Sequence, residues 1–214
     1  TPAQVRPSRP DFEVIGVFNA GVARLGDETI LLMRVAERPI ADDPSVALLP
    51  RLDLSGAQPQ IVVERYRRDE PGVDFHDPRV VAFPDGLMLT SISHLRLARS
   101  RDGRRFAVED QPALAPERAN ELYGLEDPRI TEIDGVFHIV YKAVSPDGIV
   151  QALATTRDFV SFRREGIMFC PENMDAMLFP ARVGGRYVAL NRPVGAMLGG
   201  HMMWLAYGES PLTM

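Results

Sequence analysis

The chain has 214 residues, is 45% hydrophobic and sets 24 Lys and Arg against 29 Asp and Glu for a formal net charge of −5, with 17 glycines, 18 prolines and one cysteine, Cys170. That length and apolar fraction supply a core without a disulfide or metal staple, a lone thiol rules out an intrachain disulfide framework or a Cys-based zinc site, and a mixed, net acidic composition argues against a general nucleic-acid binder, which carries a basic excess to displace counterions. No apolar run reaches the roughly 20 residues of a membrane helix, and the opening segment is proline-rich and polar, unlike a signal peptide, so the expectation is one domain in the cytoplasm, without nucleic-acid or membrane partners.

In chain order, residues 1–11 (TPAQVRPSRPD) hold three prolines and read as an extended lead-in. Strands begin at Phe12, and a first hairpin sets residues 21–25 against 29–33 across Gly26-Asp27. The tripeptide Asp77-Pro78-Arg79 precedes apolar residues 80–83, the turn Pro84-Asp85-Gly86 and a second apolar run, 87–90. Residues 115–122 (APERANEL) read as a loop or a short helix that covers one end of the fold. The tripeptide then returns as Asp127-Pro128-Arg129, followed by 130–133, the tight turn Asp134-Gly135 and 136–141. A degenerate copy starts at Asp175 and folds back across Gly184-Gly185. Third-strand phrases follow at 97–106 and 153–162, and another begins at Trp204 shortly before Met214. No segment has helical periodicity over more than about two turns.

The anchors Asn19, Asp77, Asp127 and Asp175 lie 58, 50 and 48 residues apart. Periods of roughly 40 to 50 residues with several short strands in each are the mark of propeller blades. The expected fold is therefore an all-β propeller, with blades at 12–65, 73–110, 123–166 and 173–214 and the last repeat unfinished, about three and a half blades in all. In such a fold the first strand of each blade lines the centre, so the four anchors should converge on one axial pocket.

A pocket with several acids and arginines suits sugar hydroxyls, and glycosidic cleavage needs a proton donor. Asp127, preceded by Glu126, is the leading candidate, whereas Asp77-Pro78-Arg79 is balanced between ligand binding and an ion pair between blades. The arginine clusters at 65–68 and 99–105 read as solvated outer edges. His76, His94, His138 and His201 lack metal-ligand spacing, so no metal site is expected. Met197, Met202 and Met203 are expected to fill core space. The glycines of 195–200 lack the strand–loop–helix order of a phosphate loop, which sets aside a nucleotide ligand.

Five phrases, VIGVFNAG at 14–21, LLMRVAE at 31–37, YGLEDPRIT at 123–131, PENMD at 171–175 and NRP at 191–193, together resemble glycoside hydrolase family 130, the β-mannoside phosphorylases and mannosidases. The likeness runs in order along nearly the whole chain, and residues 14–18 and 91–98 look most like the branch acting on β-1,2-mannosides. It implies a five-bladed β-propeller. It also implies that Asp127 is the general acid, its proton reaching the departing glycosidic oxygen through a hydroxyl of the bound mannose. Asn19 and Arg34 would hold the mannose, with Asp77, Arg79 and Asp175 as further substrate partners. Arg192 would bind inorganic phosphate, the co-substrate and only small-molecule requirement, which attacks the anomeric carbon from the opposite face and gives mannose 1-phosphate with inversion. The family has Lys or Arg where this chain has Met174, and its remaining phosphate and substrate residues match positions after Met214. A hydrolase on the same pocket and a carbohydrate-binding propeller without catalysis are the alternatives, and a homo-oligomer that completes the ring is compatible with the repeat count.

Overall fold

Alternating apolar and polar residues recur along the chain, and that period of two places one face of each strand in a core. The structure, a computed structural model, describes residues 1–194 and 202–214; Met197, His201 and the glycines of 195–200 lie outside the described residues. Strands β1 (Phe12–Leu25) and β2 (Glu28–Pro39) form the first hairpin. Two separate hairpins follow, β3 (Val46–Asp53) with β4 (Gln60–Arg67) and β5 (Val80–Phe83) with β6 (Gly86–Leu89). Strand β7 (Ile92–Ser100) then returns to pair antiparallel with β2, with Thr29 opposite Ser100 and Glu37 opposite Ile92, and β8 (Ala107–Val108) pairs with β7.

That return corrects the expected division into units at 12–65 and 73–110. The first sheet is β1-β2-β7-β8, and the two hairpins are insertions within it. The reason is burial: β7 is buried at seven consecutive positions from Ile92 to Ala98, so it needs cover on both faces and a long partner on its edge. The four-residue strands β5 and β6 cannot supply that, whereas the twelve-residue, largely buried β2 can.

Strands β9 (Gly124–Ile133), β10 (Val136–Ser145), β11 (Gly148–Thr156) and β12 (Arg163–Phe169) form a second, sequential meander, and β13 (Asn173–Leu178), β14 (Tyr187–Pro193) and β15 (Trp204–Gly208) a third. A single parallel pair, Ser93 with Gly124, joins the first two into one eight-stranded sheet, of which they are the two antiparallel parts. Gly124 has φ +114°, and a Cβ there would stand 2.5 Å from the Ser93 carbonyl oxygen, so only glycine fits the joint.

Apolar layers hold the sheets together. Ile30, Leu32, Leu95 and Leu97 of the first sheet pack on Leu125, Ile139 and Ala152 of the second. On the other side of the second sheet, Val140 and Leu153 meet Leu178 and Ala189 of the third. Arg99, expected at a solvated edge, instead bonds Glu109 (2.8 Å) and the Phe159 carbonyl (2.7 Å), tying the first sheet to the loop after β11. Met202 and Met203, expected in the core, are exposed.

The lead-in is anchored. After a 3-10 turn at Pro2–Gln4, the Ser8 amide donates to Glu37 (2.8 Å), and the wholly buried Arg96 donates to the Arg6 carbonyl (2.6 Å). Residues 115–122, read as a loop or a short helix, form a loop with one 3-10 turn, Ala119–Glu121. Its Glu121 is fully buried and accepts bonds from the Tyr141 hydroxyl (2.9 Å), the Glu117 amide (2.9 Å) and Arg164. Removing one member of a buried charge pair strands the other. Glu121→Ala is expected to lower unfolding free energy by about 3–5 kcal/mol in urea titrations, and a loss below about 1 kcal/mol, the range of exposed pairs, would contradict this account.

Candidate functional site

Three strands slip register at matching points. The pairing of β1 with β2 shifts between Phe18 and Gly21, that of β9 with β10 between Val140 and Lys142, and that of β13 with β14 between Met174 and Met177. At each slip one polar residue has left-handed backbone: Asn19 at φ 43°, Asp127 at 49° and Asp175 at 56°. Such bulges bend a strand and re-aim a side chain, and Asn and Asp tolerate left-handed backbone better than other non-glycine residues. Three of the four sequence anchors, Asn19, Asp127 and Asp175, are thus bulge residues, turned out of the strand alternation toward one another.

They meet in a single polar cluster. Asn19 Nδ2 donates to Asp127 Oδ1 (2.8 Å), and Lys142 Nζ, from β10, donates to Asp127 Oδ2 (2.8 Å) and pairs with Asp175 Oδ1 (3.0 Å). Arg34, from β2, sits 3.4 Å from Asp127 Oδ1, pairs with Glu126, donates to Ser93 Oγ (3.2 Å) and lies over the Phe18 ring. Arg192, from β14, pairs with Asp175 Oδ2 and reaches Met174 Sδ at 3.8 Å. The cluster has a closed and an open end: the side chains of Asp127 and Lys142 are 7% and 11% exposed, those of Asp175 and Arg192 34% and 35%.

The charges set the protonation states. Burial opposes ionisation of Asp127, but the hydrogen bonds from Lys142 and Asn19 and the charges of Lys142 and Arg34 outweigh it, so its pKa lies below the usual carboxylate range. Burial likewise works against the charge of Lys142, yet its bonds to Asp127 and Asp175 win and hold it protonated. Asp175 is also lowered: burial is opposed by Lys142 and Arg192. Glu126 goes the other way, raised by burial and by the neighbouring Asp127 charge against the pull of Arg34. A polar, charge-matched cluster of this kind can hold sugar hydroxyls at its carboxylates and an anion at its partly exposed guanidinium.

Of the residues singled out in the sequence, Asn19, Arg34, Asp127, Asp175 and Arg192 come together. Asp77 and Arg79 do not join them. Asp77 accepts from the Arg79 amide (2.8 Å) and pairs with its guanidinium (2.9 Å), in the connection from β4 to β5. It lines a separate cleft of about 400 Å³ with Arg38, Arg68, Phe75 and His76. The first Asp-Pro-Arg therefore caps its own turn, without the bulge that re-aims the second. Lys142 was missed. Its signal is a lone ammonium within 136–145 (VFHIVYKAVS), a run buried from Phe137 to Ser145, where lysine stays only if paired.

A family profile described as beta-1,4-mannooligosaccharide phosphorylase matches residues 88–213. The chain belongs to glycoside hydrolase family 130. It is 39% identical over 210 residues to the beta-1,2-mannobiose phosphorylase of Listeria innocua serovar 6a, which covers 96% of this chain and 59% of that protein. A shorter match, 39% over 104 residues, covers 47% of the chain and 35% of the 1,2-beta-oligomannan phosphorylase of Thermoanaerobacter sp. strain X514. Among solved structures, the Listeria innocua beta-1,2-mannobiose phosphorylase in complex with beta-1,2-mannobiose superposes with a TM-score of 0.91 at 38% identity, covering 98% of this chain and 60% of that one. The chain thus spans about three fifths of the length of the Listeria innocua protein.

The lowered carboxyl of Asp127 gives a signed pH dependence. Its contribution to stability is in place above the pKa of an unfolded Asp, about 3.9, and is lost as pH falls through the lower folded value. Urea unfolding at stepped pH is expected to show the parent losing stability on acidification more steeply than Asp127→Asn; equal slopes would mean the carboxyl is not held ionised by its neighbours.

Proposed function

We propose that this chain carries the mannose-binding and acid-donating part of an enzyme that cleaves β-1,2-linked mannosides by inverting phosphorolysis. The observation that carries the reading is the convergence of Asn19, Arg34, Asp127 and Asp175 on one cluster, in a chain 39% identical to a beta-1,2-mannobiose phosphorylase. Asn19 and Arg34 orient the mannose whose bond is cleaved, with Asp175 as a further hydroxyl partner. Protonated Asp127 supplies the proton that the departing glycosidic oxygen takes, relayed through a mannose hydroxyl as the family resemblance implies. A phosphate oxygen held by Arg192 attacks the anomeric carbon from the opposite face; the new C–O bond forms as the glycosidic C–O bond breaks, giving mannose 1-phosphate and the released sugar. Inorganic phosphate is the co-substrate, with no cofactor or metal. Asp77 and Arg79 have no part in the cleavage subsite.

For the fold, the reading is a five-bladed β-propeller in which the three meanders are blades, the first interrupted by the two hairpins. What supports it is that each meander opens with the strand that carries a bulge residue into the shared cluster.

Hydrolysis is the second reading, and one observation favours it: Arg192 has Met174 Sδ at 3.8 Å as its other neighbour, and a thioether does not neutralise a phosphate dianion. Incubating the protein with β-1,2-mannobiose, with and without inorganic phosphate, separates the readings. Phosphate-dependent mannose 1-phosphate is expected, with Asp127→Asn slower by about 10²–10⁴-fold, the usual worth of a general acid. Free mannose without phosphate would replace the phosphorylase with a hydrolase, and retained sugar binding with no product would leave a binding propeller.

A further inference from the structure

We propose that Lys142 is a positioning residue that couples an anion at Arg192 to protonation of Asp127. The proposal rests on the reading of Asp127 as general acid and Arg192 as anion site. In the resting cluster both oxygens of Asp127 accept from charged or amide donors, Oδ1 from Asn19 and Arg34 and Oδ2 from Lys142. A carboxylate so occupied holds no proton to give. These donors take three of its roughly four lone pairs and hold it ionised, so it becomes an acid when one of them withdraws, and the contacts of each donor identify which.

Arg34 is fixed by Glu126, Ser93 and the Phe18 ring. Asn19 is neutral, so its withdrawal would leave the charge balance unchanged, and its bulged backbone in β1 aims it at Asp127. Arg34 has its second carboxylate, Glu126, beside Asp127 on the same strand, whereas the second carboxylate of Lys142 leads toward the open end, its ammonium already standing 3.0 Å from Asp175 Oδ1. Asp175 in turn shares its other oxygen with Arg192, the most exposed cation of the cluster. The charged groups facing Asp127 from every packed element are therefore Arg34 of β2, Glu126 of β9, Lys142 of β10 and, through Lys142, Asp175 of β13 and Arg192 of β14.

An anion that engages Arg192 competes with Asp175 for the guanidinium. Asp175 then draws Lys142 toward itself, Asp127 Oδ2 loses its donor, and the carboxylate takes one proton from solvent. The added negative charge and the added proton keep the buried cluster near balance, which is what burial demands. The enzyme would thus load its acid when the attacking anion is in place.

Sulfate is the appropriate probe, because unlike phosphate it carries no titrating proton near neutrality. Calorimetric titration of the protein with sulfate at about pH 5.5, between the ordinary carboxylate pKa and neutrality, in buffers of differing ionisation enthalpy, reads the protons taken up per anion bound. Parent protein is expected to take up a large part of one proton per sulfate, Lys142→Arg to retain the uptake, and Lys142→Met and Asp127→Asn to lose it while still binding sulfate and unfolding cooperatively. Arg192→Met is expected to lose sulfate binding itself. Sulfate bound without proton uptake in the parent, or uptake that persists in Lys142→Met, overturns the coupling and leaves phosphorolysis, which the product assay decides on its own. Absence of sulfate binding by the parent overturns the anion site and the coupling together.

Discussion

Charge balance in one small, half-buried space is the constraint on which the rest of this molecule turns. Glu126, Asp127 and Asp175 face Arg34, Lys142 and Arg192, three against three, and these side chains arrive from β2, β9, β10, β13 and β14. Bringing charges out of water costs several kcal/mol per ion, and their mutual attraction offsets that only where the geometry is good. The bulges supply the geometry by turning Asn19, Asp127 and Asp175 out of the regular strand alternation at roughly 1–2 kcal/mol for each left-handed residue. Flat, unbroken strands would leave these side chains facing their neighbours' apolar layers instead.

The apolar layers hold the frame on which this balance depends. Leu32, Leu95 and Ile139 close the gap between the first two sheets and Leu153 and Leu178 the gap between the second and third, so β2, β9, β10 and β13 cannot drift apart without opening water-filled seams. Gly124 fixes how near the first two sheets come. The result is graded access: Asp127 sits at the closed end and the Arg192 guanidinium at the open end, so that on the proposed reading the low-dielectric work of proton transfer is kept apart from the entry of a charged reactant.

Much of this was legible in the sequence, for local reasons. Period-two alternation and Asp-Gly or Gly-rich turns announced the strands, and the recurrence of Asn19, Asp127 and Asp175 announced equivalent positions before their shared backbone was visible. What failed was non-local. The pairing of β2 with β7 spans two complete hairpins, and nothing in either strand's own residues names its partner. Asp77 carried the same tripeptide as Asp127 but not its setting, since the tripeptide can cap a turn as well as form a bulge. Lys142 was hidden because periodicity reports that a position is buried and is silent on which opposite charges lie across the gap. Arg99 and the exposed Met202 and Met203 failed similarly, as composition does not tell which face of a strand another sheet will cover.

The two hairpins inserted between β2 and β7 have a consequence for how the molecule is made. The β2–β7 pairing cannot form until the chain as far as Ser100 is available, and its long loop is costly to close, so the first sheet is expected to be completed late even though it begins the sequence. The second meander, whose strands pair in order with short turns, closes its loops at far smaller entropic cost and can form first. Asp127 and Lys142 belong to that early unit, while Asn19 and Arg34 belong to the late one. The cluster is therefore completed only when the last long-range sheet closes, and a chain folded only in its second meander holds Asp127 and Lys142 together without Asn19 and Arg34.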